Sequence, residues 1–183
     1  MPDTDVAQSF PDLLRTQIGH WFTTAQQYLA AAVYFDSNRL PQLAGHTYVR
    51  SREQYANALR MTQYLLDRDI EVRIGGLGDI RSTFDNPHAA TAFLVQTEQT
   101  CSTRIGDLTR SARLSGDYLG ERFIQWFAEE QMKNVAEMNR LLAVLDRADG
   151  RLFEVEEFVA RELRTQVRSD ITAPKMAGAM QNN

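Results

Sequence analysis

The stretch DIEVRIGGLGDIRSTFDN, residues 69–86, decides the fold, because of what it lacks and what flanks it. It carries Gly75, Gly76 and Gly78 and has no helical pattern, whereas long helical periodicity precedes and follows it. Before it, Leu14, Ile18, Trp21, Ala25, Tyr28, Ala32 and Phe35 recur alternately four and three apart, from an N-cap expected at Asp12 to about Ser37. A second helical stretch opens at Pro41, a good first-turn residue, and runs to about Asp67. After it, a third opens at Pro87 with the seam Leu94, Glu98, Cys101, Ile105, Leu108 and Ala112. The turn Ser115-Gly116-Asp117 leads into a fourth, with the seam Ile124, Phe127, Gln131, Asn134, Met138, Leu141 and Leu145.

The links fix the topology. SNRLP and SGD are too short for anything but antiparallel hairpins. A helix of about 27 residues is roughly 40 Å long. The segment between the hairpins can extend to roughly 60 Å, enough to run the length of a bundle. The spacing therefore predicts an all-α four-helix bundle with one long crossover. RLFEVEEFVARELR, 151–164, adds a short fifth helix. Residues 1–164 form one domain in this reading, and 165–183, polar and small, a flexible C-terminal tail.

Composition limits the function. The 183 residues carry a formal net charge of −4 and no basic run, so no nucleic-acid partner is expected. No apolar run is long enough to span a membrane, and MPDTDVAQSF lacks the features of a signal peptide, so a cytoplasmic location is expected. The lone Cys101 excludes an internal disulfide and a cysteine-built zinc site. His20, His46 and His88 read as surface or capping residues.

Each seam is interrupted near its middle by residues that are polar or carry a polar atom: Trp21 and Tyr28, Gln54 with Asn57, Glu98, and Gln131 with Asn134. In a bundle of two hairpins the four midpoints share one level. A single mid-seam amide is usually a register-setting contact. Four interruptions at one level are hard to treat as independent, and bundles of this topology build di-iron sites there.

The runs FTTAQQYLAAAVYFDS, LPQLAGHTY, QYLLDRD, GDYLGERFIQWFAEEQ and LFEVEEFVARE are similar to a non-haem bacterial ferritin of the bacterioferritin B type, over about residues 8–163. The resemblance implies a hollow shell of 24 subunits that oxidises Fe(II) inside each bundle and stores a ferric mineral. It also implies a centre that is largely lost. Trp21 stands at the first-helix glutamate, Gln54 at the bridging glutamate and Asn57 at the histidine, while Asn134 replaces an acidic residue. Glu98 and Gln131 match the pattern, and Tyr28 matches the tyrosine beside the centre. An inner-surface third iron site would map to Glu53 and Glu130, both kept, and to Lys133 and Asn134. Glu53, Glu98 and Glu130 are thus the candidate metal carboxylates.

Two Fe(II) ions bring four positive charges, and only Glu98 at the mapped positions is anionic. Gln54, Asn57, Gln131, Tyr28 and the Trp21 N–H are instead suitable donors to a buried carboxylate. No haem is expected, because Arg50, Ser51 and Arg52 stand where a haem-ligating methionine would be. The expected function is iron storage, in a self-assembled shell or in a mixed one with a ferroxidase-competent ferritin. Two alternatives stay open: a ferroxidase using Glu98, Glu53, Glu130 and Gln131 at a displaced or mononuclear site, and a structural cage with no iron role. Tyr48, Tyr55 and Phe158 are the apolar residues expected at subunit interfaces.

Overall fold

A computed structural model describes residues 8–163 and 170–179. The helices are α1 (Phe10–Ser37), α2 (Pro41–Leu66), α3 (Pro87–Leu114), α4 (Tyr118–Ala148) and α5 (Leu152–Glu162). Among the described residues there is no strand. α1 packs on α2, α3 on α4 and α1 on α3, and α5 lies against α2 and α4. This is the bundle of two hairpins with a crossover and a short fifth helix.

Local chemistry sets the helix ends. The α1 cap lies three residues before the expected Asp12: Ser9 is the cap and accepts from the Asp12 N–H at 3.4 Å. Asp12 lies inside the first turn, where its charge meets the positive end of the helix dipole. Asn86 and Asp117 cap α3 and α4, each accepting at 2.8 Å from the backbone N–H three residues on. α2 has no cap of its own. Its free Gln42 and Leu43 N–H groups donate at 2.8 and 2.9 Å to the Glu156 carboxylate, so α5 caps α2 from across the bundle. The α4–α5 turn uses left-handed Asp149 (φ 46°) and Gly150 (φ 85°).

The crossover runs alongside α1 in the same direction. Arg15 donates to the Glu71 carbonyl at 2.9 Å, and the Gly78 N–H to Thr23 Oγ1 at 3.0 Å. Gln27 then closes a two-way pair with the Arg81 backbone at 2.7 and 2.8 Å. Phe84 ends the run against Tyr34 and Phe93. Side chains of α1 thus tie down the crossover backbone at Glu71, Gly78 and Arg81.

The C-terminal residues 170–179 also touch the bundle. Asp170 accepts from Trp126 Nε1 at 3.1 Å, and the Ala177 N–H donates to the Leu59 carbonyl at 3.1 Å. The segment expected as free tail thus has contacts on α2 and α4 in its described part, and its other residues lie outside the described ones. Of the apolar residues expected at interfaces, Tyr55 is exposed, whereas Tyr48 and Phe158 pack partly into the core. Ile171, Leu114, Tyr118, Phe153 and Leu119 are the more exposed apolar side chains among the described residues.

The start of α4 is where close packing is least forgiving. A Cβ on Gly120 would lie 2.5 Å from buried Phe10 Cε1 and 2.9 Å from Asp117 Cγ. Gly120→Ala therefore has to displace Phe10 or the α4 cap. We expect it to cost about 1–3 kcal/mol, the usual range for overpacking. Thermal denaturation checks this, and an unchanged melting temperature would show that Phe10 yields freely.

Two apolar cores fill the bundle, and a polar layer separates them. One core gathers Phe35, Leu43, Leu94, Met138, Leu141 and Val155, and the other Ile18, Met61, Cys101, Ile105, Ile124 and Phe127. Between them lie Gln54, Glu98 and Gln131, all buried.

Candidate functional site

Glu98, on α3, is completely buried and is the hub of this layer. Its Oε1 accepts a short hydrogen bond from the Tyr28 hydroxyl and another from Gln54 Nε2 at 3.0 Å. Its Oε2 accepts from Gln131 Nε2 at 2.6 Å, and the same amide nitrogen reaches the Glu98 backbone carbonyl at 2.9 Å. The three donors come from α1, α2 and α4. Burial, and then the negative charge of Glu98, push the Tyr28 pKa well above its ordinary value, so the phenol stays a donor at any physiological pH.

The residue that sequence reading missed is Arg50. Its side chain is 7% exposed; Nη1 donates to Glu53 Oε2 at 2.7 Å, and Nη2 lies 3.7 Å from Glu98 Oε1. Burial works against its charge, but Tyr28, Glu98, Glu53 and Glu137 outweigh it and hold its pKa above the usual arginine value. Arg50 was legible in principle: Arg50, Gln54, Asn57, Met61 and Leu65 form one stripe of α2, spaced four, three, four and four.

Below Arg50 lie His46 and Glu137, 3.3 Å apart. The expectation of a surface role for His46 fails, since it is 5% exposed. Burial and the Arg50 charge lower its pKa to about 4, so it is neutral near pH 7 and its contact with Glu137 is no ion pair there. Burial raises the pKa of the half-buried Glu137, and Arg50 opposes that rise. His20 is partly buried, with its pKa lowered to about 4 by burial and by Arg104. His88 sits at the exposed start of α3, 2.6 Å from Asp146.

The remaining predicted residues divide. Trp21 is 1% exposed and packs into the apolar core with Met61, Cys101 and Phe127; among the described residues its Nε1 donates to no group, so it is not a donor to Glu98. Asn57 is buried but turns to Arg60, accepting from its Nη1 at 3.0 Å. Asn134 is partly buried and has no hydrogen bond to Glu98. Glu130 accepts from Lys133 at 2.6 Å, so that both Glu53 and Glu130 are paired with a cation of their own helix. The structure brings together Tyr28, Gln54, Glu98 and Gln131, and not Trp21, Asn57 or Asn134.

These residues do not fit a pair of iron ions. Hard cations want oxygen anions, and Glu98 already accepts three hydrogen bonds. A divalent ion about 4 Å from a guanidinium is repelled by about 8 kcal/mol at an effective dielectric constant near 20. Among the described residues, no group of three or more His, Cys, Asp or Glu side chains is placed to hold a metal.

Comparison with known proteins places this geometry in a family. A model described as a ferritin-like domain matches residues 11–148. The chain is similar to ferritin BfrB of Mycobacterium tuberculosis, 49% identical over 154 residues, which are 84% of this chain and 85% of that one. It is also similar to ferritin BfrB of Mycolicibacterium smegmatis, 45% identical over 169 residues, 92% and 93% of the two chains. Among solved structures, the open pore ferritin of Archaeoglobus fulgidus superposes with a TM-score of 0.79 at 25% identity, covering 86% of this chain and all of that one.

Proposed function

The chain belongs to the ferritin family, and we propose that it is an iron-storage subunit whose intra-bundle ferroxidase centre has been replaced by a metal-free polar network. The supporting observation is the buried Glu98 carboxylate, which accepts from Tyr28, Gln54 and Gln131 and has the Arg50 guanidinium 3.7 Å away. Such a subunit holds mineral, and receives iron oxidised elsewhere, in a closed shell of this chain or in one mixed with a ferroxidase-competent ferritin. The reading of a displaced ferroxidase site gains nothing from Glu53 and Glu130, which are engaged by Arg50 and Lys133. The shell is expected to use the exposed Tyr55, Leu114, Tyr118, Leu119 and Phe153, and no helix of the described residues is long and apolar enough to cross a membrane.

Stopped-flow Fe(II) oxidation by the purified protein tests this. The expected rate is that of buffer, with mineral retained once a competent ferritin is mixed in. Rapid saturable oxidation by this chain alone would defeat the proposal, and failure to retain mineral in the mixture would remove the storage role.

A further inference from the structure

We propose that Arg50 is the built-in cation of this bundle: its guanidinium sits between the carboxylates of Glu53 and Glu98 and locks the polar layer against divalent metal. The inference rests on the storage reading above and adds what holds the layer together in place of iron.

Three observations carry it. First, the Arg50 fork is divided between two acidic residues of different helices, Nη1 to Glu53 on α2 and Nη2 towards Glu98 on α3. Glu137, on α4, lies 3.3 Å from His46, one turn before Arg50 on α2, and the Arg50 charge acts on its carboxyl. Second, the guanidinium is almost fully buried, although it is among the groups most costly to take out of water. A position of that kind holds only where carboxylates supply the opposite charge. Third, the need runs both ways, because a fully buried Glu98 requires a positive partner that its three neutral donors do not provide.

The ligand class follows from the charges. Without Arg50, the Glu53 and Glu98 carboxylates and the Gln54 and Gln131 amides would border a space that has lost its guanidinium. A single divalent ion matches them in charge and in oxygen chemistry. At present the carboxylates are spread around a guanidinium, which is wider than a metal ion, so no three of them meet at metal–ligand distance. Glu53 and Glu137 keep side-chain exposures of 44% and 35%, which leaves them free to close in.

The test compares wild type with Arg50→Gln and Arg50→Lys, using Co(II) as the probe because it is not consumed by air oxidation at neutral pH. Equilibrium dialysis and melting temperature are measured with Co(II) and with EDTA. Wild type and Arg50→Lys should melt at the same temperature in both and retain no Co(II) at this layer. Arg50→Gln should melt lower in EDTA, recover with Co(II), and bind roughly one ion per chain at least about tenfold more tightly than wild type. Adding Glu98→Gln to Arg50→Gln should abolish that binding.

If Arg50→Gln does not fold in EDTA, Co(II)-dependent folding is the same positive result, and its absence overturns the proposal. If Arg50→Gln is as stable as wild type and binds no Co(II), the built-in cation is refuted while the storage reading stands. If wild type itself binds Co(II) through Glu98, both readings fall.

Discussion

Glu98→Gln should lower the melting temperature of the protein by roughly 10 °C, although it changes one atom and almost no volume. The carboxylate accepts on both oxygens, from Tyr28 and Gln54 on one and from Gln131 on the other. An amide offers a single acceptor oxygen and sets its own N–H groups against donors. Rotating the Gln131 amide to meet it would sacrifice the bond to the Glu98 backbone carbonyl, at 2.9 Å. Arg50 meanwhile loses a buried counter-charge and keeps Glu53, whose side chain is 44% exposed. Removing one partner of a buried pair costs about 3–5 kcal/mol. The shared fork places this case at the lower end. Each kcal/mol is about 2–4 °C for a chain of this size. The double variant Glu98→Gln/Arg50→Gln should recover part of the loss, because no uncompensated cation is left in the core. Melting curves of the two singles and the double give the coupling directly. Additive losses would mean that the 3.7 Å approach of Arg50 to Glu98 carries no energy.

How much of this was legible in the sequence differs between fold and site, for physical reasons. Helix seams are local and repeat many times, so the bundle, its hairpins and the crossover could be read from spacing alone. The start of α1 could not be read from cap preference, since Ser9 and Asp12 are both good caps. Pro11 was the overlooked signal, because proline suits the first turn and places the cap upstream. Gln54, Glu98 and Gln131 were legible because each interrupts an apolar stripe. Arg50 was not, because an arginine beside a seam is by default a solvated residue whose stem covers the core. What buries it is Glu98, which is 48 residues away in the chain and on another hairpin. His46 was missed with it, since it sits one turn before Arg50 on the same face of α2. Trp21 was assigned to the polar layer as a donor to Glu98, and the structure puts it in the neighbouring apolar core. Its indole faces the apolar core, where Met61 and Phe127 lie, which position along a helix does not reveal.

Arg50 also changes what would restore an iron centre. Trp21→Glu, Gln54→Glu and Asn57→His together put back the three ligands that the family resemblance marks as replaced, with Glu98 already present. On charge at those positions the triple variant looks adequate, since four positive charges meet three carboxylates. It ignores the guanidinium 3.7 Å from Glu98, which is charged at any physiological pH. That cation would stand beside the Glu98 carboxylate and repel an Fe(II) about 4 Å away by about 8 kcal/mol at an effective dielectric constant near 20. It would also claim the carboxylate meant for the metal. The triple variant should therefore fold and remain inert, and adding Arg50→Gln should switch on saturable Fe(II) oxidation. The quadruple variant should be the least stable without metal, because its carboxylates crowd together with no cation among them and must be partly protonated. Iron binding to the folded form should then raise its melting temperature more than that of any other variant. Stopped-flow oxidation and metal-free melting curves of wild type, triple and quadruple variants check both halves. An active triple variant would show that Arg50 swings clear of the layer when metal arrives, and an inert but folded quadruple variant would place the remaining obstacle at Lys133 and Asn134, where the family pattern is also broken.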